Sequence, residues 1–242
     1  MITPKQIEKA AMPPEKRESA KNDYFAFYIG RPITYWLTVP FLYTKLTPNQ
    51  ITIISIFPLL AGFILSYFAQ NTLMCTMSWC LFFLWALLDG VDGNVARYRK
   101  QFSKYGSVYD ALGGYIAMAL APFACGIMAA HNQGLLQQMF PIPSDLYTIM
   151  GALSGISIIM PRLMMHKMIN TVGQESEAAS MSNKAEYSPI KILALNVISI
   201  TGFAQLLMLI ATLTNTMDIY TVVYFVINGG AMVASLFSMF SK

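Results

Sequence analysis

The sequence predicts an all-α integral membrane protein, with six transmembrane helices preceded by an N-terminal amphipathic helix lying in the membrane interface. Composition is the first reason. Of the 242 residues, 55% are hydrophobic and 12% charged, against roughly 25% charged in soluble domains, and the mean hydropathy is +0.50. The second is segment length: the apolar residues fall in runs of about 20, enough for a helix to cross a ~30 Å hydrocarbon core. The third is charge asymmetry. All 16 Lys and Arg lie in the first 45 residues, in the connections 97–106 and 162–191, or at Lys242, and the alternate connections hold none. An even number of spans with both ends on the cytoplasmic side satisfies that pattern.

Residues 1–22 are charged, contain Pro13 and Pro14, and predict a flexible or weakly helical cytoplasmic tail with no cleavable signal peptide. From Asp23 to Lys45, Tyr, Trp and Phe alternate with Arg31, Pro32 and Pro40, too interrupted for a span but suited to the interface. The domain division is therefore 1–45, tail and interfacial segment, and 46–242, a six-helix transmembrane domain. Thr47-Pro48 is a helix start, and the first span runs from Pro48 to Phe68. The second runs from Leu73 to about Arg97 and the third from Ser107 to Ala129. The fourth spans Asp145 to His166, with a polar loop over 169–188 after it. Pro189 opens the fifth, to Leu213, and the sixth covers Ile219 to Ser241. Cys75, Cys80 and Cys125 sit in apolar runs without metal-ligand spacing and read as small buried hydrophobes. A net charge of +4 gives no reason to expect nucleic acid.

Asp89, Asp92 and Asp110 interrupt this apolar pattern. Acidic groups inside membrane segments are costly and are a functional hypothesis by default. Asp89 lies roughly 24 Å along its helix from Leu73, near the inner end of the core. Asp92, three residues on, shares its face. Asp110 enters the next span from the same side, so two antiparallel helices bring the three together. A hard divalent cation relieves their repulsion, and Mg2+ and Mn2+ both accept such oxygens. Gly93 and Gly106 remove side chains within a turn of an Asp, and Arg97 offers a forked donor to a phosphate. Together these residues suggest a diphosphate site.

The arrangement Asp89-x-x-Asp92-Gly93-x-x-Ala96-Arg97, followed by Gly106 and Asp110, resembles the signature of the CDP-alcohol phosphotransferase family. Arg31-Pro32 and the segment from Leu46 to Thr52 resemble the family's approach to its first helix. The resemblance implies a CDP-linked alcohol donor, such as CDP-diacylglycerol, and a small or lipid-linked acceptor alcohol, with release of CMP. It implies metal ligation by Asp89, Asp92 and Asp110, a nucleotide cradle of Gly93, Ala96, Arg97 and Gly106, and an approach of Asn49 and Thr52 to the nucleotide. A homodimer and a cytoplasmic active site are further implications.

The pattern breaks at its last position. The family places a further Asp four residues after the third, as metal ligand and base, and here that residue is Gly114. Three carboxylates leave a two-metal site one positive charge in excess. Asp110, a hydroxyl of Tyr109 or Tyr115, or the substrate's own phosphate are the candidate bases in its place. Two rivals follow: an impaired homologue that binds nucleotide or lipid, and a carboxylate-driven transporter. The clustering of acids at one end of the spans, and the lack of an internal repeat, disfavour the transporter. Arg162, Lys167, Lys184 and Lys191 serve topology first and anion binding second.

Overall fold

A computed structural model describes residues 2–172 and 189–241. Almost all of this is helix, and among the described residues there is no strand. Local chemistry fixes most helix starts. The first helix, α1 (Pro4–Ala11), opens with a capping box in which the Thr3 hydroxyl accepts from Gln6 N and the Gln6 side chain accepts from Thr3 N. Next comes α2 (Pro14–Ala20), and a single π-helical turn, Ala26–Gly30, leads into α3 (Arg31–Leu42). The start of α4 (Pro48–Phe68) repeats the capping box with Thr47 and Gln50. Asn71 caps α5 (Thr72–Arg99) through a bond to Met74 N. That helix ends where Lys100 adopts left-handed backbone (φ 55°) and Gln101 N reaches back to Ala96 O at 2.9 Å. The remaining helices are α6 (Gly106–His131), α7 (Leu135–Met139), α8 (Ser144–Val172), α9 (Pro189–Ile198), α10 (Phe203–Leu213) and α11 (Met217–Phe240).

Five helices (α4, α5, α6, α8 and α11) are long and apolar enough to cross a membrane, and α9 with α10 makes a sixth if taken as one broken span. The protein is a multi-pass integral membrane protein. The fifth span departs from the continuous helix expected between Pro189 and Leu213, because its two halves meet at 51°. Gly202 N bonds to Ser199 O at 2.9 Å, and a Cβ on Gly202 would stand 2.8 Å from Asn196 O. That turn is too tight to carry the helical ladder through.

The N-terminal residues also depart from the expected loose tail. The first of their helices, α1, folds back on α3 and α5, with Ile7 fully buried beside Ala11 and Tyr35, and Tyr98 of α5 packed against them. In α3, Thr34, Tyr35 and Thr38 turn inward, while Ile33 and Trp36 stay exposed. The inward threonines bond to carbonyls one turn back, Thr34 to Gly30 O and Thr38 to Thr34 O. Asn94 of α5 donates to the Thr38 hydroxyl at 3.1 Å. The two helices touch at Gly90, where a Cβ would meet Thr34 Cγ2 at 2.8 Å.

Arg99, at the end of α5, locks this end of the molecule. Its guanidinium donates to the carbonyls of Phe41, Leu42, Thr44 and Leu46 at 2.6–3.1 Å, satisfying the C-terminus of α3 and the link to α4. At the opposite side of the bundle, α6 and α8 cross through glycines. A Cβ on Gly151 would stand 2.9 Å from Gly126 Cα, and one on Gly155 2.8 Å from Ala119 O.

Candidate active site

The sequence-predicted residues gather where α4, α5 and α6 meet, at the α3 end of the bundle. Asp92 is buried, and the Thr52 hydroxyl of α4 donates to its Oδ2. Thr52 is itself buried, so its polar atom serves the carboxylate and holds it in place. Asn49, one turn earlier on α4, donates to Ser103 Oγ at 3.0 Å and ties that helix to the α5–α6 connection. A Cβ on Gly106 would stand 3.9 Å from Asn49 Oδ1, so Asn49 and Gly106 are neighbours at the mouth of the site.

Asp89 occupies a different environment from Asp92. Its Oδ1 is buried without a hydrogen-bond partner, as is the Trp85 Nε1 one turn before it. Both atoms lie just under 4 Å from where a Cβ on Gly113 would sit, so an orphan acceptor and an orphan donor converge beside α6. Buried polar atoms without protein partners are rare, and this donor and acceptor leave room for a water, an ion or a ligand between them. Asp92 and Asp110 are close enough to Asp89 to repel it. Asp110 is exposed on the first turns of α6. Among the described residues no three His, Cys, Asp or Glu side chains converge at metal-ligand spacing. The carboxylates are hard oxygen donors of the kind a divalent cation takes, Asp89 keeps an orphaned oxygen, and Asp92 and Asp110 lie within its electrostatic reach.

Gly93 has a direct structural reason. Arg97 folds back along α5, and a Cβ on Gly93 would stand 2.8 Å from its Nη2. The motif glycine therefore gives the motif arginine its resting place. Ala96 lies half-buried on the same helix and supplies the carbonyl that closes the α5 C-terminus.

Two cavities open on Asp89. One, of about 240 Å³, lies between α3 and α5 and is lined by Arg31, Thr34, Tyr35, Asn94 and Arg97. The other, of about 490 Å³, reaches toward α8, α9 and α11, and Gly114, Ser157, Arg162, Ser199 and Asn228 line it. The broken fifth span contributes Thr201 to both. Gly114 lines the larger cavity, and a Cβ placed there would meet only Met118 Cε, at 3.9 Å. Asp23, from the N-terminal segment, lines the larger cavity as well. Of the basic residues that sequence reading held for topology or anions, Arg162 reaches the larger cavity and Lys167 is exposed. Lys184 and the Lys191 side chain lie outside the described residues.

Sequence reading noted Arg31 only at the approach to the first helix and placed neither it nor Tyr35 in the site. Arg31 and Tyr35 line the smaller cavity from α3, with the Tyr35 phenol against the Arg31 guanidinium. Burial pushes that phenol above its usual range, and Arg31 opposes the shift, so the hydroxyl keeps its proton at neutral pH. The signal available for Arg31 was its isolation: it is the one basic residue within an otherwise aromatic stretch from Tyr24 to Thr44.

No curated protein matches the chain. Residues 45–238 match the family model described as CDP-alcohol phosphatidyltransferase, which covers most of the chain and the whole Asp89–Asp110 motif. Members of that family transfer phosphorus-containing groups in membranes, taking a CDP-alcohol donor and an alcohol acceptor, and generally depend on a divalent metal. With its multi-pass helices and its clustered carboxylates, this chain belongs to the CDP-alcohol phosphatidyltransferase family.

Proposed function

We propose that the protein transfers a substituted phosphoryl group, such as phosphatidyl, from a CDP-alcohol to an acceptor hydroxyl in the synthesis of a phospholipid or related surface lipid or glycan. The observation that carries this reading is the orphaned Asp89 Oδ1 at the junction of two cavities, one lined by arginines and one by hydroxyls. The smaller side suits donor phosphate. The larger falls within the roughly 300–1,000 Å³ of small-molecule sites and suits the acceptor.

Asp89, Asp92 and Asp110 would hold Mg2+ or Mn2+, which when bound supplies charge to the phosphoryl oxygens and the departing phosphate. Thr52 keeps Asp92 oriented, and Gly93, Ala96, Arg97 and Gly106, with Asn49 at the rim, cradle the nucleotide. In the transfer, the acceptor oxygen forms a bond to the phosphorus that carries the alcohol. The bond from that phosphorus to the CMP oxygen breaks and CMP leaves. Asp110 takes the hydroxyl proton; it precedes Gly114 by one helical turn and shares its face of α6.

The division into a 1–45 segment and a 46–242 catalytic domain belongs to the same reading. The exposed Tyr28, Trp36 and Tyr43 suit an interfacial position for α3. The distribution of basic residues supports a cytoplasmic position for both termini and the site, and a homodimer is part of the same reading. Gly114 supports one alternative, an impaired homologue that binds nucleotide and does not turn over. Purified protein given CDP-diacylglycerol, Mg2+ and a panel of alcohols separates the two. The expected result is CMP release that Asp110→Asn abolishes in a protein that remains folded by thermal unfolding. CDP binding without release for any acceptor selects the impaired homologue.

A further inference from the structure

The matched region begins at residue 45, yet the smaller cavity is built in part from residues before it. Arg31, Thr34 and Tyr35 of α3 form one wall, and Asp89, Asn94 and Arg97 of α5 form the other. Arg31 and Arg97 stand close enough across it for their charges to repel. The Nε atoms of both are buried without a hydrogen-bond partner. Asp92 and Asp110 lie within electrostatic reach of Arg97, and the salt bridges at contact distance nearby, Arg17 with Glu8 and Lys21 with Glu18, involve neither guanidinium. Glu8, the acid nearest Tyr35, is thus already engaged, at 3.1 Å. The other Arg31 contact is a weak one to Met12 Sδ at 3.9 Å.

Two converging guanidinium groups, half-buried, mutually repelling and each with an unpartnered Nε, are relieved when an anion joins them. Planar forked donors match the paired oxygens of phosphate and of carboxylate, and the family's CDP-alcohol donor supplies phosphate. At about 240 Å³, the cavity falls below the roughly 300 Å³ at which whole small-molecule sites begin, so it suits a phosphate group and not an entire nucleotide. We infer that Arg31 and Arg97 form a two-arginine clamp for a substrate phosphate, and that the N-terminal helices complete the active site by holding Arg31 in it. This rests on the reading above for the identity of the substrate. The clamp itself requires only a phosphate.

The same structure explains the folded-back N-terminus. Ile7 and Ala11 pack on Tyr35, whose phenol lies against Arg31, and Met12 touches the guanidinium itself. The chain from α1 to α3 thereby becomes a positioning device for one charged group.

The test is binding of CDP, CMP and inorganic phosphate to the full chain in detergent, for wild type, Arg31→Gln and Arg31→Lys, with thermal unfolding as the folding control. For a donor phosphate, Arg31→Gln weakens CDP by roughly 10- to 100-fold and CMP by less, and Arg31→Lys recovers part of the loss. For a phosphate on the acceptor, CDP and CMP are unchanged and inorganic phosphate binding is lost, which also supports the clamp. A folded Arg31→Gln protein that binds all three as wild type does overturns it. If wild type binds phosphate through Arg31 but neither nucleotide, the clamp stands and the nucleotide-transfer reading fails. Should Arg31→Gln not fold, phenylglyoxal labelling of wild type decides. CDP or phosphate must protect both Arg31 and Arg97, and equal labelling of Arg31 with and without them contradicts the clamp.

Discussion

The two ends of α6 are built to opposite rules. Toward its C-terminal half it meets α8 through Gly126, Gly151 and Gly155, backbone against backbone, with no room for a methyl group. Toward its N-terminal turns it faces α5 across cavities, with unpartnered polar atoms on Asp89 and Trp85 and the larger cavity beside Gly114. Interiors pack densely and satisfy their polar groups unless function demands otherwise. The glycine crossing is therefore scaffold, and the loose end is where something binds. Stability and activity should separate along this one helix.

Asp89→Asn gives the largest expected effect at the loose end. Turnover falls by roughly 10²–10³-fold, the scale of losing one electrostatic contact to a transition state. Thermal unfolding in detergent without metal should show no loss of stability, because Asn keeps the shape of the side chain and takes an ionisable group away from beside Asp92 and Asp110. A variant that is inactive only because it unfolds would erase the contrast. Gly151→Leu reverses the outcome. Overpacking the α6–α8 crossing costs about 1–3 kcal/mol or more, read as a lower unfolding temperature, while the protein that remains folded keeps its CDP affinity. The smallest effect is expected from Gly114→Asp. The nearest atom to a Cβ there is Met118 Cε at 3.9 Å, so the carboxylate is accommodated, and a fourth acid tightens Mg2+ binding by roughly tenfold. Equal Mg2+ affinity in both proteins would mean that position 114 does not face the ion.

The parts of this arrangement set by neighbours in sequence were legible from it. Thr47, Pro48 and Gln50 specify the start of α4 by their own hydrogen bonds, and the observed bounds, Pro48–Phe68, are the expected ones. The i, i+3 relation of Asp89 and Asp92 follows from helical geometry alone. What depends on distant partners was not legible. Ile7 is buried only because Tyr35 and Tyr98 come to it, so a charged, proline-containing segment read as a tail. Arg99 read as one more topology residue, since its four carbonyl partners lie more than 50 positions earlier. The break in the fifth span had a single local marker, Gly202, and its cause is a turn closed by Asn196 and Ser199. Asp110 was expected beside the other two acids. It lies within their electrostatic reach but is exposed, because that depends on how α6 leans from α5.

The central claim is that Asp89, Asp92 and Asp110, with Arg97, form a divalent-cation-dependent diphosphate site. Its most direct test is CDP affinity of the purified wild-type protein with Mg2+ present and after chelation with EDTA. The account predicts that chelation weakens CDP by about 100-fold or more and that added Mg2+ or Mn2+ restores it. The same CDP affinity in EDTA as in Mg2+ would contradict it.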